Sequence, residues 1–192
     1  MGFLAAWWRL RARLALMLGA QKQAQRCFEQ LLQLKPDDPQ ALVSLAFLAG
    51  SRGEHAQAVA LQRRAVQALP SASAWYNLGY LLERSGDYVD AEGAFREALG
   101  LNERLDLAWY GLGLALSRQG RVQEAAQAFR ENTARQPFSP HGWEQLARLH
   151  VQCGEADKAR EVLAHLHTFE PKAAQRLRSE LAPSLVCSSA AA

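Results

Sequence analysis

Five glycines recur along the chain at an almost constant interval of 34, 33, 34 and 34 residues: Gly19, Gly53, Gly86, Gly120 and Gly154. The same period is kept by five alanines, which are Ala24, Ala58, Ala91, Ala125 and Ala159. It is also kept by five large apolar residues, which are Trp8, Leu42, Trp75, Trp109 and Trp143. Pro36, Pro70, Pro137 and Pro171 form a fourth series that is broken only at Glu103. This periodicity indicates an array in which one small structural unit is repeated.

Each period contains two segments with a helical pattern, in which apolar residues lie three and four positions apart. In the third period Trp75, Leu78 and Leu82 share one face of a first helix that ends near Gly86. A second helix is predicted from Ala91 and Phe95 onward. Glycine and proline end the segments, as they commonly end helices.

The segments WYNLGYLLERSGDYVDAEGAFREAL and WYGLGLALSRQGRVQEAAQAFREN resemble tetratricopeptide repeats, whose pattern combines W-x2-L-G-x2-Y, A-x3-F and a proline. The resemblance covers about residues 5 to 171, with departures at Arg11, Gln62, His150 and Leu163. It implies an all-α fold, a right-handed α-solenoid of five helix-turn-helix repeats. We expect one domain over residues 1–182, with repeats at about 5–38, 39–71, 72–105, 106–139 and 140–171.

A capping helix is predicted over residues 172–182, because Ala173, Leu177 and Leu181 would lie on one helical face. Pro183 is expected to end it, and residues 183–192 are expected to be a disordered tail. A terminal cap with a polar outer side keeps such an array soluble.

Small residues such as Gly79 and Gly113 allow close approach of helix backbones, while Trp and Phe side chains fill the gaps between helices. One pair cannot bury its apolar face alone, so stability comes from stacking. On this prediction Trp109 is a buried aromatic, and its replacement by alanine is expected to cost about 3–5 kcal/mol.

The resemblance further implies that the first helix of each pair lines a concave face. The candidate groove residues, read off by register, are Val43, Phe47, Tyr76, Asn77, Tyr80, Arg84, Tyr110, Leu114, Arg118 and Arg148. Because aromatic and Arg side chains dominate binding hot spots, we expect a protein or peptide ligand with apolar anchors and an acidic flank. The alternative is that the tyrosines only pack between helices, and convex-face binding also remains open.

Two specialised functions of the family lack their residues here. The groove registers contain no lysine, so a carboxylate clamp for chaperone tails is not supported. Asn77 is replaced by Leu10, Ser44, Gly111 and Gln145 in the other repeats, so an asparagine ladder is absent.

Catalytic, metal and nucleic-acid functions are not indicated. The net charge of +3 is small for a nucleic-acid binder, and Cys27, Cys153 and Cys187 form no CxxC motif. His165 and His167 lie two residues apart and so point to different sides of a helix. We therefore predict a non-catalytic cytoplasmic scaffold or adaptor without cofactor or metal.

The first twenty residues are strongly apolar, yet Arg9, Arg11 and Arg13 interrupt them. Because no uncharged run reaches about 18 residues, neither a spanning helix nor a signal peptide is predicted. Self-association, contact with another protein and interfacial membrane contact remain open for this segment. The alternative function is accordingly a membrane-associated assembly factor of secretion, pilus or envelope machinery, peripheral to the inner face of a membrane.

Overall fold

In the computed structural model, residues 2–187 are described, with residues 184–187 given as backbone only. Within these residues the chain forms α-helices joined by short turns. The helices are α1 (Gly2–Met17), α2 (Gln21–Leu34), α3 (Pro39–Ser51), α4 (His55–Ala68), α5 (Ala72–Ser85), α6 (Tyr88–Leu101), α7 (Asp106–Arg118), α8 (Val122–Arg135), α9 (Pro140–Gln152), α10 (Ala156–Phe169) and α11 (Pro171–Cys187). The first ten form five successive pairs, and α11 follows as a single helix.

The turn inside every pair contains one residue of the glycine series. Gly19, Gly53, Gly86, Gly120 and Gly154 have φ values of 70, 80, 86, 76 and 74°. This left-handed conformation is unfavourable for residues that carry a Cβ, which explains why glycine recurs there. In the third pair the backbone N–H of Asp87 donates to the carbonyl of Leu82 at 3.0 Å, so the helix end is closed by hydrogen bonding.

The starts of the first helices are set by side-chain caps and prolines. Asp38 accepts a hydrogen bond from the Ala41 N–H at 3.1 Å, and Pro39 occupies the first turn of α3. Ser71 caps α5 in the same way through the Ala74 N–H, also at 3.1 Å. Such caps satisfy backbone donors that have no partner within the helix.

The described residues divide into two compact units, one ending at Asn102 and one beginning at Glu103. In the first unit, Phe28 and Leu31 of α2 are buried among alanines of α1 and α3. Phe95 of α6 is likewise buried, against Gly79 of α5. The first and third pairs therefore close by placing a phenylalanine of the second helix on a small residue of the first.

The second unit is built in the same way and is completed by α11. Phe129 of α8 is fully buried against Gly113 of α7. Leu177 and Leu181 of α11 join a buried cluster with Leu163 and Leu166 of α10. The predicted cap is thus a helix whose apolar face covers the fifth pair.

The prediction that Trp109 is a buried aromatic is wrong. Trp109 and Trp143 are partly exposed, and their indole Nε1 atoms donate to the carbonyls of Glu103 and Pro137, each at 2.9 Å. The indoles lie over the turn that precedes their helix, where one edge remains in solvent. The fully buried aromatics are the phenylalanines of the second helices, Phe28, Phe95 and Phe129.

The prediction that Pro183 ends the last helix is also wrong, because α11 continues through Pro183 to Cys187. Proline lacks the N–H that would bond to the carbonyl four residues earlier. That carbonyl belongs to Ser179, an exposed residue, so water can replace the missing donor. Residues 188–192 of the expected tail lie outside the described residues.

Candidate peptide-binding groove

An open groove of about 640 Å³ lies in the first unit, along α3 and α5. Its volume is within the range of sites that hold drug-sized ligands. The lining residues are Leu16, Val43, Ser44, Phe47, Gly50, Ser51, Gln62, Tyr76, Asn77, Tyr80, Leu81 and Arg84. They come from the first helices of three pairs and, at Gln62, from the second helix of the second pair.

Six of the ten predicted site residues meet in this groove. These are Val43 and Phe47 of α3 and Tyr76, Asn77, Tyr80 and Arg84 of α5. The other four, Tyr110, Leu114, Arg118 and Arg148, belong to the second unit. Choosing equivalent positions of successive repeats therefore identified a set of neighbouring side chains in the first unit.

The rim of the groove is aromatic and carries one cation. Phe47 is 68% exposed and Tyr80 is 46% exposed, so both rings are accessible to a ligand. The Arg84 Nη1 donates to the Tyr80 hydroxyl at 3.2 Å, and its guanidinium carbon lies 5.9 Å from the Tyr80 ring centroid. This hydrogen bond raises the pKa of Arg84 above its ordinary value.

The floor of the groove contains Gln62, a residue that sequence reasoning noted only as a departure from the repeat pattern. Gln62 is 1% exposed, and its side-chain Nε2 donates to the Ala74 carbonyl at 2.8 Å. Phe95 and Phe129 occupy the same register in the third and fourth pairs. The replacement of the usual aromatic residue by Gln62 was the one sign of this site in the sequence. What that replacement does to the groove depends on the side chains around Gln62.

Those side chains differ between pairs. The ring of Tyr76 lies 6.0 Å from that of Phe95, and the ring of Tyr110 lies 5.6 Å from that of Phe129. In the second pair the corresponding two registers hold Val43 and Gln62, neither of which has a ring. The second pair thus lacks the tyrosine–phenylalanine contact that fills this place in its two successors.

The sequence profile of the tetratricopeptide repeat family matches residues 9–73, 53–106, 76–140 and 110–167. The chain belongs to this family. The all-α solenoid class implied by the resemblance to tetratricopeptide repeats is thereby confirmed. A search of curated proteins found no match.

Several solved structures share this tetratricopeptide fold. A crystal structure of MamA has 22% identity and a TM-score of 0.84 over 91% of this chain and 96% of that one. YrrB, described as a TPR protein with an unusual peptide-binding site, has 19% identity and a TM-score of 0.78 over 88% of each chain. PilF of Pseudomonas aeruginosa has 18% identity and a TM-score of 0.75 over 97% of this chain and 89% of that one.

In the second unit, the residues at positions equivalent to the groove residues make other contacts. Tyr110 contacts His141 at 6.4 Å between ring centroids, in addition to Phe129. Arg148 pairs with Glu180 of α11, and Glu144 pairs with Arg176 of α11 at 2.6 Å. Leu114 is half-buried, and Arg118 is exposed.

At the other end of the tetratricopeptide array, α1 carries apolar side chains on the face opposite its buried alanines. Phe3 is 86% and Met17 is 83% exposed, and Leu10 and Leu14 are also exposed. The Arg11 guanidinium lies 5.0 Å from the Trp7 ring centroid. Among the helices of residues 2–187, none has the length and apolar character needed to cross a membrane.

The remaining sequence candidates take part in packing. His165 lies 4.3 Å from Trp143 and 5.7 Å from Phe169 between ring centroids. The Nδ1 of His150 is 2.6 Å from a carboxylate oxygen of Glu155. The described part of the chain contains no group of three or more residues placed to hold a metal ion.

Proposed function

We propose that this chain is a non-catalytic scaffold or adaptor that holds an extended or helical segment of a protein partner in the groove between α3 and α5. The observation that carries the proposal is the lining of the groove. Its twelve described residues include exposed Phe47 and Tyr80, one cation at Arg84, and no carboxylate. Such a surface favours a ligand that combines apolar side chains with an acidic group.

Polar groups along the groove suit a peptide backbone. Among the described residues, the Asn77 side chain has no hydrogen-bond partner, and Ser44 and Ser51 line the same groove, the Ser51 hydroxyl donating to the Leu48 carbonyl and keeping its acceptor capacity. Amide and hydroxyl groups can pair with the N–H and C=O groups of a bound segment. YrrB, a structural neighbour described as having a peptide-binding site, supports this class of ligand.

A non-catalytic role and a cytoplasmic location are parts of the same proposal. The groove lining offers serine hydroxyls but no His, Asp, Glu, Lys or Cys among its twelve described residues to act as a base. Cys27 and Cys153 are free thiols, which suits a reducing compartment.

Selection from a displayed library of random dodecapeptides on the folded full chain tests the proposal. A selected peptide is synthesised, and its affinity is measured by titration calorimetry for wild type and for Phe47→Ala/Tyr80→Ala. We expect about a tenfold or greater loss of affinity, because exposed aromatic residues of this kind form hot spots. The matched control is Phe138→Ala, which removes a 78% exposed aromatic of the second unit.

Failure to select any peptide, or equal affinity for the wild type and the double variant, would refute the proposal. Equal losses in the control and in the double variant would show that the aromatic groove is not the binding site. Circular dichroism at the titration temperature confirms that each variant is folded.

The outer face of α1 favours a second candidate function, in which the chain lies on an anionic membrane surface. Residues 1–28 contain no acidic residue and include Arg11, Arg13, Lys22 and Arg26, while Arg9 pairs with Asp38 at 2.5 Å. Basic residues beside exposed apolar side chains are typical of interfacial helices. Truncation of α1 would expose the core of the first pair, so surface substitutions are the better test.

Leu10→Gln/Leu14→Gln alters this face without removing a buried residue. We expect flotation of the wild type with phosphatidylserine-containing vesicles and not with pure phosphatidylcholine, and loss of flotation in the double variant. Light scattering without lipid detects self-association through the same face. Absence of wild-type flotation would dismiss the membrane candidate.

A further inference from the structure

We infer that the second helix pair contains an anchor pocket for one large apolar side chain of the bound segment, with an acidic residue of that segment next to it. The pocket exists because Val43 and Gln62 replace the tyrosine and phenylalanine that occupy the same registers in the third and fourth pairs. The inference rests on the proposed function and specifies which part of the groove selects the ligand.

The first step is steric. In the third and fourth pairs a Tyr ring of the first helix contacts a Phe ring of the second, at centroid distances of 6.0 and 5.6 Å. The second pair has neither ring, and Val43 and Gln62 both line the groove. Gln62 is itself 1% exposed, so the space left for a ligand side chain lies beside the half-buried Val43, where the tyrosine ring of the later pairs would stand.

The second step concerns the floor. Gln62 is a polar residue, but its Nε2 already donates to the Ala74 carbonyl at 2.8 Å. This bond uses one Nε2 hydrogen, and Oε1 has no partner among the described residues, so a donor of the bound segment is needed there while the apolar side chain packs on the neighbouring lining. Leu81, Val43 and Tyr76 supply apolar surface around the same space.

The third step gives the charge of the ligand. Arg84 is the single ionisable cation among the described lining residues, and α3 contains no charged residue at all. The Tyr80 ring and hydroxyl hold the Arg84 guanidinium at the rim. A carboxylate close in sequence to the anchoring side chain can pair with this guanidinium at the same time as the anchor fills the pocket.

The pocket can be closed by giving the second pair the residues of the third. A Cβ added to Gly79 would lie 2.8 Å from the Phe95 ring, so the tyrosine–phenylalanine arrangement of the third pair has glycine at this place, whereas Phe28 of the first pair, which has Arg9 at the tyrosine register, packs with Ala12. The second pair has Ala46 at that place, which calls for Val43→Tyr/Ala46→Gly/Gln62→Phe as a triple variant. Val43→Tyr alone, at a half-buried lining position, narrows the pocket if the triple variant does not fold.

The probe is a synthetic dodecapeptide from the library selection on wild type, with and without its largest apolar residue changed to alanine. We expect the closed variant to bind the parent peptide about tenfold or more weakly, and the alanine peptide to bind both proteins alike. The control is Ala147→Gly, which removes the same methyl at the Ala46 register of the fifth pair. It should leave affinity within about twofold of wild type.

Equal affinity of the parent peptide for wild type, the closed variant and Val43→Tyr would overturn the inference. If Phe47→Ala/Tyr80→Ala still weakens binding in that case, the groove binds the segment without an anchor pocket, and the proposed function stands. If the aromatic variant has no effect either, the proposed function fails as well.

Discussion

The second and fourth helix pairs have the same backbone plan but differ at three side-chain positions. Each has a turn glycine with positive φ and a second helix packed on its first. In the fourth pair Tyr110, Phe129 and Gly113 pack together and fill the interior. In the second, Val43, Gln62 and Ala46 leave a lined groove. The comparison shows that three registers decide whether the place is filled by packed rings or borders the groove, and under the proposed function the groove is where the partner binds.

The three registers are coupled by contact. Gly113 is required in the fourth pair because a Cβ there would lie 2.7 Å from the Phe129 ring. The second pair has no such ring, so Ala46 is accommodated at 1% exposure. A change at one register therefore has a different effect in each pair, and this difference can be measured.

The largest expected difference is in the free energy of unfolding, when the buried residue of the second helix of each pair is replaced by alanine. Phe129→Ala is expected to lower the free energy of unfolding by about 3–5 kcal/mol, because it empties a fully buried aromatic site. Gln62→Ala should cost about 1–2 kcal/mol, mainly through loss of its hydrogen bond to Ala74. Urea unfolding of both variants measures the difference. Equal costs would show that the two registers do not differ as described.

The next largest effect is the change in stability caused by Gly113→Ala, which depends on the Phe129 ring opposite it. Gly113→Ala is expected to destabilise the chain by about 1–3 kcal/mol through overpacking against Phe129. In a Phe129→Leu background the clash is relieved, and the same change should become neutral or stabilising because alanine favours helix by about 1 kcal/mol. A thermal-unfolding double-mutant cycle measures this reversal. An additive result would contradict the steric account.

A smaller difference is expected in peptide affinity, when the rim residue at the same position of the second and fourth pairs is replaced by alanine. Phe47→Ala is expected to weaken the library-selected peptide about tenfold, whereas Leu114→Ala, at the same register of the fourth pair, should change affinity less than about twofold. Titration calorimetry provides both values. A larger loss from Leu114→Ala would move the binding site to the fourth pair.

The smallest effect is on acid stability. The Arg52 side chain, hydrogen-bonded to Glu54, lowers the pKa of that carboxyl below its ordinary value of 4.5, whereas the fourth pair has Arg121 at this register. Below that pH the unfolded chain binds the proton more readily than the folded one, so this contribution to stability is lost as pH falls. Glu54→Gln should make the decline in melting temperature between neutral and acidic pH slightly shallower. An unchanged or steeper decline would exclude this contribution.

The periodic features of the fold were predictable because each depends on one residue type at one register. The turn glycines and the paired helices are examples. The groove was predictable as a set of neighbours, since six predicted residues line it together. The role of Gln62 was not predictable, because it depends on the side chains that its register contacts in space.

The remaining differences between prediction and structure have similar causes. The engagement of Arg148 by Glu180 joins residues 32 positions apart, and the choice of partner is not visible in a repeat pattern. The partial exposure of Trp109 depends on the turn beneath its indole. The helix continues beyond Pro183, and the carbonyl that loses its donor there belongs to an exposed residue, so water can hydrate it.

Intermolecular nuclear Overhauser effects from the selected peptide test the central claim most directly. Filtered spectra of the complex report which methyl groups of the protein lie close to the anchoring side chain. The account predicts contacts from that side chain to the Val43 methyls and the Gln62 side chain. Contacts to Leu114 of the fourth pair, with none to Val43, would contradict it.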